Sequence, residues 1–231
     1  MTDISDERGK FRRWIREDGI LGKTDIAYEY IKGKIISGEY PPLSDLSEDT
    51  LQQELNVSRT PVREAILRLE KEDFVYVYPR KGTIVTDLTN DLLEEVFEVR
   101  EAIEPVMAMR NINQIKQEWL LDIKKRLLEP PAGLSEDALR EYYVSLDEEL
   151  HTKIIEGCPN RYMRRLMKNI QDQNMRLRLA STTVMDDDDH TMDEHLQIID
   201  SILERDREKL GELLLFHLKE SKKRMKKSFR N

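Results

Sequence analysis

The sequence predicts a mainly α-helical protein in two parts, a small helical pair with a β-hairpin followed by an antiparallel bundle of helices. Strand-like runs of β-branched and aromatic residues are confined to residues 75–86. From Asp91 onward the strand signals stop, and apolar residues recur at helical spacing in six segments separated by proline, glycine or acidic breaks. These segments predict helices at about residues 91–112, 117–128, 135–156, 160–184, 189–205 and 207–228. We therefore expect an N-terminal extension at residues 1–22, a first domain at 23–88 and a second at 89–231.

The first domain is predicted to contain three helices. The first covers residues 25–37 and ends at a glycine that is followed by two prolines. Ser47 caps a second helix that ends near Leu55, because a serine side chain can accept a bond from a free amide of the first turn. The connection that follows is only three residues long, and a third helix covers residues 60–72. Two short helices joined this tightly are typical of a helix-turn-helix.

Two features of this domain favour contact with double-stranded DNA. Arg59, Arg63 and Arg68 lie off the apolar stripe of the third helix, so they face water or a partner. The runs 75–78 and 83–86 form a hairpin whose tip carries two cations and a glycine, which allows the backbone to approach a phosphate closely. The unit is therefore predicted to be a winged helix-turn-helix, and a small helical subdomain with a surface hairpin is the alternative. The tip residues are Arg80, Lys81 and Gly82.

Composition limits the class of protein. The chain has 231 residues, of which 36% are charged, and its formal net charge is −8. DNA affinity depends on local cations rather than on the total charge, so this value does not exclude a DNA-binding protein. The sequence has no apolar run near the roughly 18 residues that span a membrane. Cys158 is the single cysteine and cannot form an intramolecular disulfide, so we expect a cytoplasmic protein without membrane contact.

Three of the four histidines lie on apolar faces of helices in the second domain. His151 follows Asp147 by four residues, so both project from one helix face, and His195 and His217 lie on two later helices. Three imidazoles and a carboxylate would suit a divalent metal such as Zn²⁺, Ni²⁺ or Mn²⁺. Hydrogen-bonded core histidines are the alternative. His190 lies beside an acidic run and is expected at the surface.

The chain resembles a known family in both domains. Residues 57–66 (VSRTPVREAI) and 79–85 (PRKGTIV) are similar to the GntR family of bacterial transcription regulators. Three segments resemble the FCD effector domain of its FadR-type branch: 146–151 (LDEELH), 194–206 (EHLQIIDSILERD) and 216–221 (FHLKES). Residues 96–105 resemble the opening helix of that domain. The resemblance implies a homodimer that binds a roughly palindromic operator, usually as a repressor, and responds to a small organic acid.

The resemblance also implies roles for individual residues. The operator-contacting positions fall on Ser58, Arg59, Thr60 and Arg63, with Gly82 at the tip of the hairpin. The metal ligands fall on Asp147, His151, His195 and His217. Arg100, on the opening helix of the second domain, is a candidate partner for the carboxylate of the effector. A surface ion pair with Glu101 or Glu104 is the alternative for Arg100.

Two residues depart from the family pattern, which usually has glycine at both positions. Asp73 is expected to replace glycine, since aspartate tolerates the left-handed conformation found at helix ends. Leu43 is expected to give a differently shaped turn.

Two other functions are alternatives to a transcription regulator. The first is a metal-dependent hydrolase or lyase with a DNA-binding appendage, in which Glu148 or Glu149 serves as a general base. The sequence has no HExxH motif or other catalytic signature, which disfavours an enzyme. The second is a metal-free bundle that binds an acyl-CoA, and the intact ligand set disfavours it.

Overall fold

The structure is a computed structural model and describes residues 22–181 and 188–228. Its contacts divide the chain into two compact units, Met1–Leu88 and Thr89–Asn231. Residues 1–21 of the predicted N-terminal extension and residues 186–187 of the acidic run before His190 lie outside the described residues. The helix predicted over residues 160–184 ends at Ala180.

Between residues 22 and 88, where the structure describes it, the first unit contains three helices and a three-stranded sheet. The helix-turn-helix begins at Ser47, whose side chain accepts a hydrogen bond from the backbone N–H of Thr50, as expected for an N-cap. Val62, Ile66 and Leu69 are fully buried, so the predicted apolar stripe faces the core. In chain order the elements are α1 (Lys23–Ser37), β1 (Asp45–Leu46), α2 (Glu48–Leu55), α3 (Arg59–Glu70), β2 (Val75–Tyr78) and β3 (Gly82–Val85).

The sheet has the order β1–β3–β2, and both of its pairings are antiparallel. The predicted hairpin is present with Val75 opposite Val85 and Tyr78 opposite Gly82. Strand β1 was not predicted, because two residues are too few to show an alternating pattern. The winged helix-turn-helix fold predicted from the sequence is confirmed.

The two residues that depart from the family pattern both have a positive φ. Asp73 has φ 61°, as predicted for a residue that replaces glycine. Leu43 has φ 65°, in the left-handed region that an L-residue rarely occupies and glycine occupies at low cost. Leu43 therefore adopts a backbone conformation that glycine readily occupies. The expectation of a differently shaped turn is not supported.

The second unit is a bundle of six helices in the part of the chain that the structure describes. Its core is formed by apolar residues of all six, including Met107, Leu120, Ile154, Met167, Ile198 and Leu214, each fully buried. The helices are α4 (Asn90–Asn111), α5 (Gln117–Leu128), α6 (Glu136–Glu156), α7 (Arg161–Ala180), α8 (Asp188–Leu203) and α9 (Arg207–Ser228). None of the described helices is both long enough and apolar enough to cross a bilayer.

Candidate nucleic-acid interface and metal centre

The first candidate site is the exposed start of helix α3, which we call the recognition helix. Ser58, Arg59, Thr60 and Arg63 are all exposed there. The unpaired backbone N–H groups of a helix N-terminus attract phosphate, and the first turn is the part of a recognition helix that reaches base edges. The structure thus places all four predicted contact residues on one accessible surface.

Arg59 is already engaged with acidic residues of helix α2. Its Nη2 donates to Oδ1 of Asp49 at 2.7 Å, and its Nε lies 3.7 Å from a carboxylate oxygen of Glu48. All of these groups remain substantially exposed, so water and salt screen the interaction. Asp49 holds the Arg59 side chain and offsets part of its charge.

Arg68 is used inside the first unit. Its guanidinium carbon lies 3.6 Å from the ring centroid of Tyr28, and its nitrogens pair with Asp25 at 3.3 Å and Glu72 at 3.6 Å. These contacts attach helix α3 to helix α1, so Arg68 does not add to the basic face of the recognition helix.

The hairpin tip, residues 79–82, presents its basic residues to solvent. Arg80, Lys81 and Gly82 are exposed, and the backbone N–H of Lys81 donates to the carbonyl of Tyr78 at 3.0 Å, which closes the turn. Gly82 has φ 123°, a conformation that L side chains rarely adopt, so the turn requires glycine at this position.

The second candidate site lies inside the helical bundle. Asp147, His151, His195 and His217 are all buried, and each offers a ligand atom within 4.8 Å of those of the others. They come from helices α6, α8 and α9. We call these four residues the candidate metal centre. His190 is exposed, as predicted.

Two of the imidazoles are oriented by carboxylates. Nδ1 of His151 lies 3.0 Å from Oε2 of Glu104, and Nδ1 of His217 lies 2.6 Å from Oε2 of Glu194. If each Nδ1–H donates to its carboxylate, both Nε2 atoms carry lone pairs, and these two atoms are 3.1 Å apart. Two facing lone pairs repel unless a cation lies between them. Metal-binding histidines commonly donate their other ring N–H to a carboxylate in this way.

Burial disfavours the charged form of His195 and of His217, and metal ligation requires neutral imidazoles. It lowers the pKa of His195 well below its ordinary value, and electrostatic interactions with His151 and Arg178 lower it further. Burial also lowers the pKa of His217, with the other two imidazoles acting in the same direction. For Glu104 burial raises the pKa, but electrostatic interactions with Arg100 and His151 outweigh it and lower the pKa to about 2. Glu104 is therefore ionised, and it can accept a hydrogen bond from Nδ1–H of His151.

The remaining donors also fit a cation. Nε2 of His195 lies 3.0 Å from Oδ1 of Asp147, but the geometry is not that of a hydrogen bond, and this buried nitrogen has no hydrogen-bond partner among the described residues. A buried polar atom without a partner is costly. Nitrogen from three histidines with one carboxylate oxygen is a donor set suited to Zn²⁺, Ni²⁺ or Mn²⁺.

Arg178 lies on the other side of Asp147. Its Nη2 donates to Oδ1 of Asp147 at 2.8 Å, and its Nη1 contacts Oδ2. Burial lowers the pKa of Arg178 to about 9, and the charges of Arg100 and Arg224 act in the same direction. Arg224 donates two bonds to Glu194, at 2.9 and 2.7 Å. Each of these two arginines is thus paired with a carboxylate that belongs to, or orients, the candidate metal centre.

A cavity of about 60 Å³ adjoins the centre, and we call it the site cavity. Asp147 and His195 form part of its wall, together with Arg178 and Arg224. It therefore places two guanidinium groups beside the candidate metal centre, where a small anion could bind.

Arg100 does not line this cavity. It is 3% exposed, its Nε donates to Glu104 at 2.6 Å, and its Nη1 donates to Asn174 at 2.7 Å. The structure therefore favours the ion pair with Glu104 over direct contact with an effector. The expectation that this pair would lie at the surface is wrong, because α4 turns the pair towards α6 and α7.

Sequence reasoning missed Arg178, Arg224 and the orienting role of Glu194. One signal was available for Arg224, which follows His217 by seven residues and so lies on the same helix face two turns later. Arg178 had no such signal, because it lies on α7 and its partner Asp147 lies on α6.

Comparisons with known proteins agree with this architecture. The model of the gntR family of bacterial regulatory proteins matches residues 23–85, and the model of the FCD domain matches residues 95–220. The HTH-type transcriptional repressor GlaR of Escherichia coli is 28% identical over 201 residues, covering 83% of this chain and 90% of that protein. The gluconate operon transcriptional repressor of Bacillus subtilis is 28% identical over 189 residues, covering 79% of this chain and 76% of that protein.

A solved structure shares the fold. A GntR transcriptional regulator from Rhodococcus sp. RHA1 superimposes with a TM-score of 0.75 at 18% identity, covering 91% of this chain and all of that one.

Proposed function

The chain belongs to the GntR family and carries its FCD domain, so it is a DNA-binding transcription regulator, and we propose that it is a repressor controlled by a small carboxylate at a metal site. Members of the family are transcription regulators and not enzymes, which excludes the hydrolase or lyase considered above. Glu149 is accounted for without catalysis, since it accepts two bonds from Arg126 at 3.0 and 2.7 Å.

The observation that carries the proposal is the convergence of four buried donors. The Nε2 atoms of His151 and His217 face each other at 3.1 Å, and the buried Nε2 of His195 has no hydrogen-bond partner among the described residues. A divalent cation held by these three histidines and Asp147 would remove both penalties. When bound, the metal would supply a Lewis acid to which a carboxylate oxygen can bind.

The residues around the cavity would select and orient the anion. Arg178 and Arg224 border the site cavity, and each would place a positive charge beside an anion bound there while it stays paired with its own carboxylate. Arg178 is only 7% exposed, so its attraction for an anion is weakly screened by water. We assign the role of carboxylate partner to these two arginines in place of Arg100.

For DNA we propose two kinds of contact. Ser58, Arg59, Thr60 and Arg63 would meet base edges and nearby phosphates from the recognition helix, and Arg80, Lys81 and Gly82 would meet the backbone from the hairpin tip. One such unit makes few base contacts, so we further propose a homodimer that binds a roughly palindromic operator.

Helix α4 offers a physical route between the two activities. It begins at Asn90, directly after the winged-helix unit, and it carries Arg100 and Glu104. Glu104 contacts His151 of the candidate metal centre at 3.0 Å. We propose that occupation of the site shifts Glu104, and with it α4, and so changes operator affinity by a coupling free energy of roughly 1–3 kcal/mol.

The test compares two histidines of helix α8. Purified wild type should carry about one divalent metal per chain, and His195→Ala should lose it together with the response of operator binding to carboxylates. His190→Ala removes an exposed histidine from the same helix and serves as the matched control, which should keep both. Wild type that holds no metal on elemental analysis and takes up no Zn²⁺, Ni²⁺ or Mn²⁺ would refute the proposal.

A further inference from the structure

Two kinds of side chain form the wall of the site cavity. Its cationic members are Arg178, which is paired with Asp147, and Arg224, which is paired with Glu194. Four apolar side chains form another part of its wall, one from each of helices α5, α6, α8 and α9: Leu127, Val144, Met192 and Met225.

Their positions along the helices place these apolar groups away from the ligand atoms. Val144 precedes Asp147 by three residues and Met192 precedes His195 by three, so each lies about 4.5 Å further along its helix axis. Met225 follows His217 by eight residues, which corresponds to about 12 Å along α9. An anion bound at the centre would therefore direct the rest of its structure towards apolar side chains.

The charges at the centre suit a single anionic group. Arg178 is already paired with Asp147 and Arg224 with Glu194, so the two guanidinium groups are largely balanced by carboxylates of the protein. A second carboxylate would lie against the apolar wall, where an unpaired charge costs several kcal/mol. Ser221 also borders the cavity, and its hydroxyl could form a hydrogen bond with one polar substituent near the carboxylate of the ligand.

The volume of the site cavity indicates the size of the ligand. At about 10–15 Å³ for each water-sized sphere, the cavity holds roughly four to six such spheres. A sugar acid such as gluconate, which carries a hydroxyl group on each of five carbons, is larger than that. The volume therefore matches a short acid more closely than a polyhydroxy chain.

We propose that the effector is a short aliphatic monocarboxylate of about three or four carbons, with at most one further polar group near the carboxylate. This inference rests on the proposed function and narrows its ligand class. It predicts that the chain does not respond to sugar acids, even though the gluconate operon repressor is among its relatives.

The experiment is calorimetric titration of the full-length, Zn²⁺-loaded protein with acetate, propionate, butyrate, hexanoate and gluconate. Propionate or butyrate should bind at least tenfold more tightly than hexanoate and gluconate. Met225→Ala enlarges the apolar part of the cavity and should improve hexanoate relative to butyrate by about tenfold. Met192→Ala makes the same change from another helix and covers the case in which Met225→Ala does not fold.

Leu179→Ala is the control, since it shortens a leucine that is 42% exposed and should leave the chain-length preference unchanged. Gluconate or hexanoate binding wild type as tightly as butyrate would overturn the size rule while leaving the proposed function intact. Methionine variants that behave like Leu179→Ala would also overturn it. Failure of every acid to bind the metal-loaded protein would overturn this inference and the proposed function together.

Discussion

The two units use charged side chains in opposite ways. In the winged-helix unit the proposed DNA contacts are exposed and come from two short stretches of sequence, residues 58–63 and 80–82. In the helical unit the candidate metal centre is buried and comes from three helices. Exposed charges interact weakly with each other and remain available to an external partner, whereas buried charges must be balanced internally. The first arrangement suits recognition of a large polyanion, and the second suits capture of a small ion.

The same contrast appears among the arginines. Arg63 is exposed on the recognition helix, while Arg100 and Arg178 are each almost fully buried and paired with Glu104 and Asp147. Loss of Arg63 should therefore affect DNA binding, whereas loss of a charge from either buried pair should affect stability.

The largest effect is expected at Glu104. Glu104→Gln should destabilise the helical unit by roughly 3–5 kcal/mol, because it leaves Arg100 buried without its counter-charge. Glu149→Gln is the matched control, since it breaks a half-exposed pair with Arg126 and should cost less than about 1 kcal/mol. Urea denaturation measures both. Equal losses would show that burial does not distinguish the two pairs.

The second prediction concerns acid. The folded-state pKa values of His195 and His217 are lowered, so between those values and about 6.5 the unfolded chain binds more protons than the folded one. Stability in the presence of a chelator should be full above about pH 6.5 and should fall on acidification, by up to about 1.4 kcal/mol per pH unit for each histidine.

Glu104 adds a second loss of stability at lower pH. Its pKa of about 2 is also lowered, so its contribution is present above about pH 4.3 and is lost as the pH falls towards 2. Urea midpoints measured from pH 7 to pH 5 test the histidine part. A midpoint that stays constant over that range would contradict it, and His190→Ala should leave the profile unchanged.

The third prediction concerns operator recognition. Arg63→Ala should weaken binding to the specific operator by roughly 1–3 kcal/mol and leave non-specific duplex binding nearly unchanged. Lys81→Ala at the hairpin tip should weaken all duplexes similarly and reduce the salt slope by about one. Fluorescence anisotropy with operator and scrambled duplexes separates the two outcomes. Sequence-independent losses from both variants would refute the assignment of the recognition helix.

The smallest effect is expected at Asp49. Asp49→Asn should strengthen DNA binding by less than about 1 kcal/mol, because it frees Arg59 from an exposed ion pair. The gain should disappear at high salt, where such pairs are screened. Weaker binding would instead show that Asp49 positions Arg59 for DNA.

The sequence by itself determined the local structure of this protein and much of its candidate sites. The helix boundaries of both units lie within a few residues of those predicted, because apolar spacing, N-caps and glycine or proline breaks act within one or two turns of a helix. The four residues of the candidate metal centre were indicated by the same apolar spacing together with the resemblance to the FCD domain. Each histidine lies on an apolar stripe, so it had to face the interior.

Only the tertiary structure decided how those side chains are paired. Arg100 could bind an effector or a glutamate, and the packing of α4 against α6 and α7 selected Glu104 and Asn174. Arg178 meets Asp147 across 31 positions of sequence. A pairing of this kind depends on helix rotation and crossing, which arise from the whole core rather than from local spacing. The size and apolar wall of the site cavity follow from the same packing, because five helices contribute residues to the cavity.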